Sequence, residues 1–161
     1  MVKKLERTEH SSIRMGEMSV AADGDTLRTL LGSCVGLALY DRRQKVGGLA
    51  HIVLPDSRGN TDKPGKFANT AIPTLIDEMH AAAGDELNLT AKLAGGASMF
   101  SMSVPSRIGE QNIESCERLL RELGIPILAR HCGGEKSRRM SLDTAVGRVV
   151  IEIVGEDPTE L

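Results

Sequence analysis

Residues 26–55, TLRTLLGSCVGLALYDRRQKVGGLAHIVLP, carry three short apolar runs, each ended by a turn-forming interruption. Gly32-Ser33 cuts the first, the polar stretch Arg42 to Lys45 separates the second from the third, and Pro55 stops the third. Runs of this length between turn residues fold as strands, and two of them joined by four polar residues pair as an antiparallel hairpin. The segment therefore predicts a strand ending at Leu31, a strand over 35–40 and a strand over 46–54.

The flanking sequence extends this pattern. Ile13 to Val20 alternates loosely and predicts another strand, followed by a turn at Asp23-Gly24-Asp25. Ile72, Leu75, Ile76, Met79 and Ala83 recur at helical spacing. They predict a helix over 70–83, capped by Asn69 or Thr70, with Pro73 in its first turn and Gly84 as its stop. A strand over 87–94 ends at Gly95-Gly96, and Ile113, Cys116, Leu119, Leu120 and Leu123 mark a second helix over 109–123. A strand over 125–129 and a hairpin over 138–154, turning at Asp143 to Gly147, complete the chain. Seven or eight strands with two helices, mostly in hairpins, define an α+β class with largely antiparallel sheet covered by helices. At 161 residues the expectation is a single domain, 1–161, with frayed ends at 1–10 and 156–161.

Composition narrows the function classes. Aromatics make up 2% of the chain and the formal net charge is −2. Nucleic-acid binding, which needs a concentrated basic face or stacking rings, is not expected. No apolar run reaches membrane-spanning length, and no apolar stretch follows the basic start MVKKLERTEHSS, so a cytoplasmic protein is expected. Three irregularly spaced Cys read as reduced thiols, one of them a candidate for reactivity.

That candidate is Cys34. Gly32-Ser33 before it lets the chain turn sharply and leaves backbone amides free to stabilise an oxyanion. If strands 35–41 and 46–54 pair so that opposed numbers sum to about 87, His51 faces Gly36 and Cys34 faces Val53. Cys34 and His51 then form a diagonal pair on one sheet face, with room over Gly36 for the imidazole. A one-residue slip would separate them. Spacing alone leaves the plainer reading standing, in which Cys34 is a small buried hydrophobe and His51 a satisfied strand histidine.

LGSCVGLALYD followed by GGLAHIVLP resembles the signature of the CheD family, the chemoreceptor glutamine deamidases of bacterial and archaeal chemotaxis. The likeness continues through KFANTA (66–71), KLAGGASMF (92–100), IGEQNIE (108–114) and LGIPILARHCGG (123–134), covering the chain from Met15 to Val154. The resemblance implies two packed sheets flanked by helices, related to the deamidase domain of the cytotoxic necrotizing factor toxins. It places the family's catalytic Cys on Cys34, its catalytic His on His51 and its third residue, a Thr, on Thr29. Arg28 stands beside Thr29 where family members often carry a second Thr, and Ser137 departs from a Gly expected before Arg138.

By this resemblance Cys34 attacks a glutamine side-chain amide, an adjacent imidazolium lowers its thiol pKa, and His51 moves the protons. A glutamyl methyl ester differs only in its leaving group. Gly32 and Ser33 are candidates for oxyanion stabilisation, and Gly95 and Gly96 for contact with a substrate helix. The implied substrates are cytoplasmic helical domains of chemoreceptors, so any membrane association runs through them. The alternative is a regulatory module docking a CheC-type phosphatase. No cofactor and no metal are expected, because His131-Cys132 lacks the short paired spacing of zinc ligands. Cys116 reads as core, and Arg138-Arg139 as an exposed strand end.

Overall fold

The protein is described here by a computed structural model covering residues 11–99 and 107–161. In chain order the described elements are β1 (Ser11–Ile13), β2 (Met18–Ala22), β3 (Thr26–Leu31), β4 (Val35–Asp41) and β5 (Val46–Ile52). A short 3-10 helix, Pro64–Lys66, leads into α1 (Ala68–Ala83). Then follow β6 (Leu89–Gly95), α2 (Ile108–Glu122), β7 (Ile127–Cys132), β8 (Arg138–Asp143), β9 (Arg148–Glu152) and β10 (Thr159–Glu160).

The strands form two five-stranded sheets, ordered β1-β3-β8-β9-β10 and β2-β5-β4-β6-β7. Each is mixed: β1–β3 and β6–β7 pair in parallel, and the remaining pairs are antiparallel. Both helices pack on one face of the second sheet, while the first sheet covers its other face. The class is therefore α+β, as expected, with the helices confined to one side.

The middle position of the second sheet explains its sequence. Every residue of β4 and β5 is buried, because both faces are covered. Leu37, Leu39, Ala50 and Ile52 point toward the helices, whereas Ala38 and Leu49 point toward the first sheet, as strand alternation requires. Gly48 lets Leu75 of α1 reach the backbone, and Gly36 does the same for Met140 and Leu31. Close approach of large aliphatics to bare backbone is how a core with so few aromatic rings reaches interior packing density.

The β4–β5 hairpin has the predicted register, with Gly36 opposite His51 and Val35 opposite Ile52. Buried Asp41 locks it at the turn, accepting the Arg43 and Gln44 amides at 2.9 Å on Oδ1 and the Asn88 amide at 2.8 Å on Oδ2. Burial alone would raise the Asp41 pKa. The amides of Gln44, Asn88 and Arg43, with the Arg43 charge, outweigh it and hold the carboxyl below its usual range.

Several expectations are corrected. Ile13 to Val20 is two strands, β1 and β2, broken where Gly16 adopts a positive φ of 76°. The third hairpin-region strand stops at Ile52, and Leu54 makes only an isolated bridge to Phe67. Neither Asn69 nor Thr70 caps α1, which begins at Ala68 with Pro73 inside it. Asn69 instead accepts the Ser57 amide, and the Thr70 hydroxyl donates to Pro64 O, so both serve the loop before the helix. Residues 156–161 were expected to fray, yet Thr159–Glu160 pairs with β9 and Arg148 bridges Glu160. The expected fraying of 1–10 lies outside the described residues.

Candidate active site

Cys34 lies in the bend 32–34 between β3 and β4, and His51 near the end of β5. Alternation along the hairpin turns His51 toward the first sheet, the face it shares with Leu49, and Cys34 packs in the same inter-sheet cluster. Both are largely buried, at 7% and 3% exposure. The space over Gly36 is filled by Met140 and Leu31, so the imidazole does not lean across it as expected. Among the described residues no hydrogen bond joins Cys34 Sγ to His51.

Thr29 reaches the imidazole from the opposite sheet. Its Oγ1 lies 2.6 Å from His51 Nδ1 and 2.7 Å from Ile13 O. A hydroxyl has one hydrogen, and a carbonyl oxygen can only accept. Thr29 must therefore donate to Ile13 O and accept from Nδ1–H. Neutral His51 is thus the Nδ1-protonated tautomer, with Nε2 left as a base.

The bend around Cys34 is held from behind by residues 95–97. Gly96 N donates to Cys34 O at 2.9 Å and Ala97 N to Gly32 O at 3.0 Å. Gly95 is at φ 97°, and a Cβ there would stand 2.3 Å from Cys34 O. Gly95 and Gly96 are buried beneath the bend, against its backbone. Among the described residues, the amides of Gly32, Ser33 and Cys34 donate no hydrogen bond, as a candidate oxyanion site requires.

Burial pushes the Cys34 thiol pKa up. It pushes His51 down, only partly opposed by the Glu17 charge. Both shifts favour the neutral form of each group. His51 opens onto a cleft of about 610 Å³ whose walls include Ile13, Met15, Glu17, Leu30 and Lys63. Cys116 is fully buried with its pKa raised to about 12, and half-buried Cys132 is raised to about 11. Iodoacetamide labelling of the folded protein should therefore reach Cys34 well before Cys116. The Cys34 rate should still climb above the ordinary thiol pKa of about 8.5 instead of levelling near neutrality. Peptide mass spectrometry across a pH series reads both; equal labelling of the two thiols would contradict the expectation.

Two residues near the site escaped the sequence reading. Arg138 was expected on an exposed strand end but is 3% exposed. It donates to His131 Nδ1, to His131 O, to Gly133 O and to Lys136 O, shaping the turn whose Gly134 O accepts the Ser98 amide. Asn112 of α2, fully buried, donates through Nδ2 to Ser33 O and Val53 O. A polar residue one turn before Cys116 on the apolar face of α2 was the only signal of it. Among the described residues no group of three or more His, Cys, Asp or Glu could hold a metal ion. Nor, among them, is any helix long and apolar enough to cross a membrane.

A buried thiol and a tautomer-fixed imidazole facing the space between two β-sheets, with a threonine reaching the imidazole from the first sheet, define an α+β protein with a candidate Cys–His–Thr site. The chain belongs to the CheD family. The family model described as CheD chemotactic sensory transduction matches residues 53–153. The probable chemoreceptor glutamine deamidase CheD of Clostridium botulinum is 44% identical over 161 residues, covering 95% of this chain and 99% of that protein. The corresponding probable deamidase of Desulforamulus reducens is 47% identical, covering 89% and 90%. The chemoreceptor glutamine deamidase CheD of Thermotoga maritima is 42% identical, covering 89% and 91%. Thr29, Cys34 and His51 precede the family-model match but lie within the Clostridium alignment, which omits only 5% of the chain.

Proposed function

We propose that this protein hydrolyses glutamine side-chain amides of chemoreceptors to glutamate and ammonia, with Cys34 as nucleophile and His51 as the proton carrier. The names of its relatives support the substrate. The observation that carries the chemistry is the Thr29 hydroxyl bonded to both His51 Nδ1 and Ile13 O, which leaves Nε2 unprotonated, while Cys34 lies in the cluster between the same two sheets.

In the first step Nε2 takes the thiol proton as Sγ bonds to the amide carbon, and the carbonyl oxygen becomes an oxyanion facing the free amides of residues 32–34. The oxyanion then collapses, the C–N bond breaks, and the imidazolium gives its proton to the departing nitrogen, releasing ammonia and leaving a thioester. Water gives a proton to Nε2 as it attacks the thioester, and the C–S bond breaks. The proton returns to sulfur, and the product is a glutamate carboxyl. A neutral resting pair suits this sequence, because an uncharged imidazole is ready to accept the proton at neutral pH. A glutamyl methyl ester would follow the same course with methanol as the leaving group.

Incubating the full chain with the cytoplasmic domain of a cognate receptor should add about one dalton per modified glutamine and release equivalent ammonia. Peptide mass spectrometry of the receptor domain and an ammonia assay read the two products. An unchanged receptor mass would remove the proposal.

A further inference from the structure

Asn112 sits on α2 with none of its surface exposed. Its Nδ2 donates to Ser33 O at 3.2 Å and to Val53 O at 2.9 Å. Ser33 immediately precedes Cys34, and Val53 stands two residues beyond His51. A single planar amide thus spans the bend that carries the thiol and the strand exit that carries the imidazole. Its orientation is forced, since both facing groups are carbonyl oxygens and only the NH2 end can serve them. Among the described residues, Oδ1 is left buried without a partner. An orphaned buried acceptor costs about 1–3 kcal/mol, a cost that a leucine of similar volume would not carry. What the asparagine supplies and a leucine would not is the pair of ties to Ser33 O and Val53 O.

We propose that Asn112 is a positioning residue: its amide fixes the separation of Ser33 and Val53, and through it the approach of the Cys34 sulfur to His51. The proposal rests on the Cys34–His51 reading above. Proton transfer needs the two heavy atoms in hydrogen-bond reach, and a displacement of about 1 Å can cost about 10²-fold in rate. Neither Ser33 O nor Val53 O has another hydrogen bond outside the sheet ladders among the described residues, so Asn112 extends the tie between the two segments past the last ladder pair, Val35 with Ile52.

Four full-length proteins test it: wild type, His51→Ala, Asn112→Leu and the double variant, each labelled at Cys34 with iodoacetamide at neutral pH. In the wild-type background His51→Ala should slow labelling at least about tenfold, as loss of a general base does. In the Asn112→Leu background the same change should slow it less than about twofold, because the bend and the strand exit are no longer held together for the proton transfer. Hydrolysis of a receptor fragment by Asn112→Leu should lose about 10²-fold in kcat with KM little changed. A His51 effect equally large in both backgrounds, with circular dichroism unchanged, would overturn the assignment. Should the leucine variant fail to fold, Asn112→Ala is read the same way, and failure of both to fold makes the residue structural and sinks the proposal. Labelling needs no receptor, so a protein that hydrolyses nothing removes the deamidase reading while the coupling still decides Asn112. Labelling indifferent to His51 in the wild-type background would overturn both.

Discussion

Replacing Cys34 with alanine is expected to lower ammonia release from a receptor domain by at least about 10⁴-fold while the protein keeps its fold. The size follows from the chemistry. Without sulfur there is no thioester, and the remaining groups can only assist a direct attack by water from an unprepared direction. The fold should survive because Cys34 is a small member of the inter-sheet cluster, in which Leu27, Leu31, Met140, Leu142 and Val149 bury far more apolar surface. Losing one thiol from such a cluster costs about 1 kcal/mol, within the ordinary range for a single substitution. Thermal unfolding followed by circular dichroism, beside the ammonia assay, separates the two effects. Residual activity above about one hundredth of wild type would show that another group is the nucleophile.

Gly95→Ala is expected to give the largest loss of stability among the glycine substitutions at this site, about 3 kcal/mol or a fall of roughly 6–12 °C in Tm. Two separate costs combine. Gly95 has φ 97°, a conformation that L side chains rarely adopt, and its added Cβ would stand 2.3 Å from Cys34 O. Gly124→Ala is the control, because Gly124 also has a positive φ, at 70°, but meets nothing within 4 Å. It should show the conformational strain alone, about 1–2 kcal/mol. The Gly95 variant must also push the Cys34 carbonyl aside and loosen the Gly96 N to Cys34 O bond, so activity should fall further than the loss of stability explains. Equal melting temperatures for the two variants would mean that the contact behind Cys34 can relax freely.

These two results probe different kinds of information. The β4–β5 hairpin and its register are legible in the residue pattern, since a four-residue turn between two apolar runs leaves few ways to pair them. The helices are found within two residues at each end because apolar spacing reports a buried face. The start of α1 is misread for a physical reason: Asn69 and Thr70 look like caps but spend their side chains on Ser57 and Pro64, elements no local pattern connects to them. Arg138 is misread similarly, since a charged residue at a strand end looks solvated until the acceptors that bury it are known. Family resemblance marks Cys34, His51 and Thr29 as candidates, while local geometry justifies only the first two.

By itself the sequence determined that a four-residue turn would join two strands into a hairpin and that Cys34 would follow a sharp bend, because both depend on short-range periodicity and turn chemistry. Only the tertiary structure decided what surrounds them. The Thr29 contact to His51 spans 22 residues, and that of Asn112 to Ser33 spans 79. Such contacts are made by the packing of one sheet or helix against another, and the side-chain period of any single strand or helix carries no record of its partner.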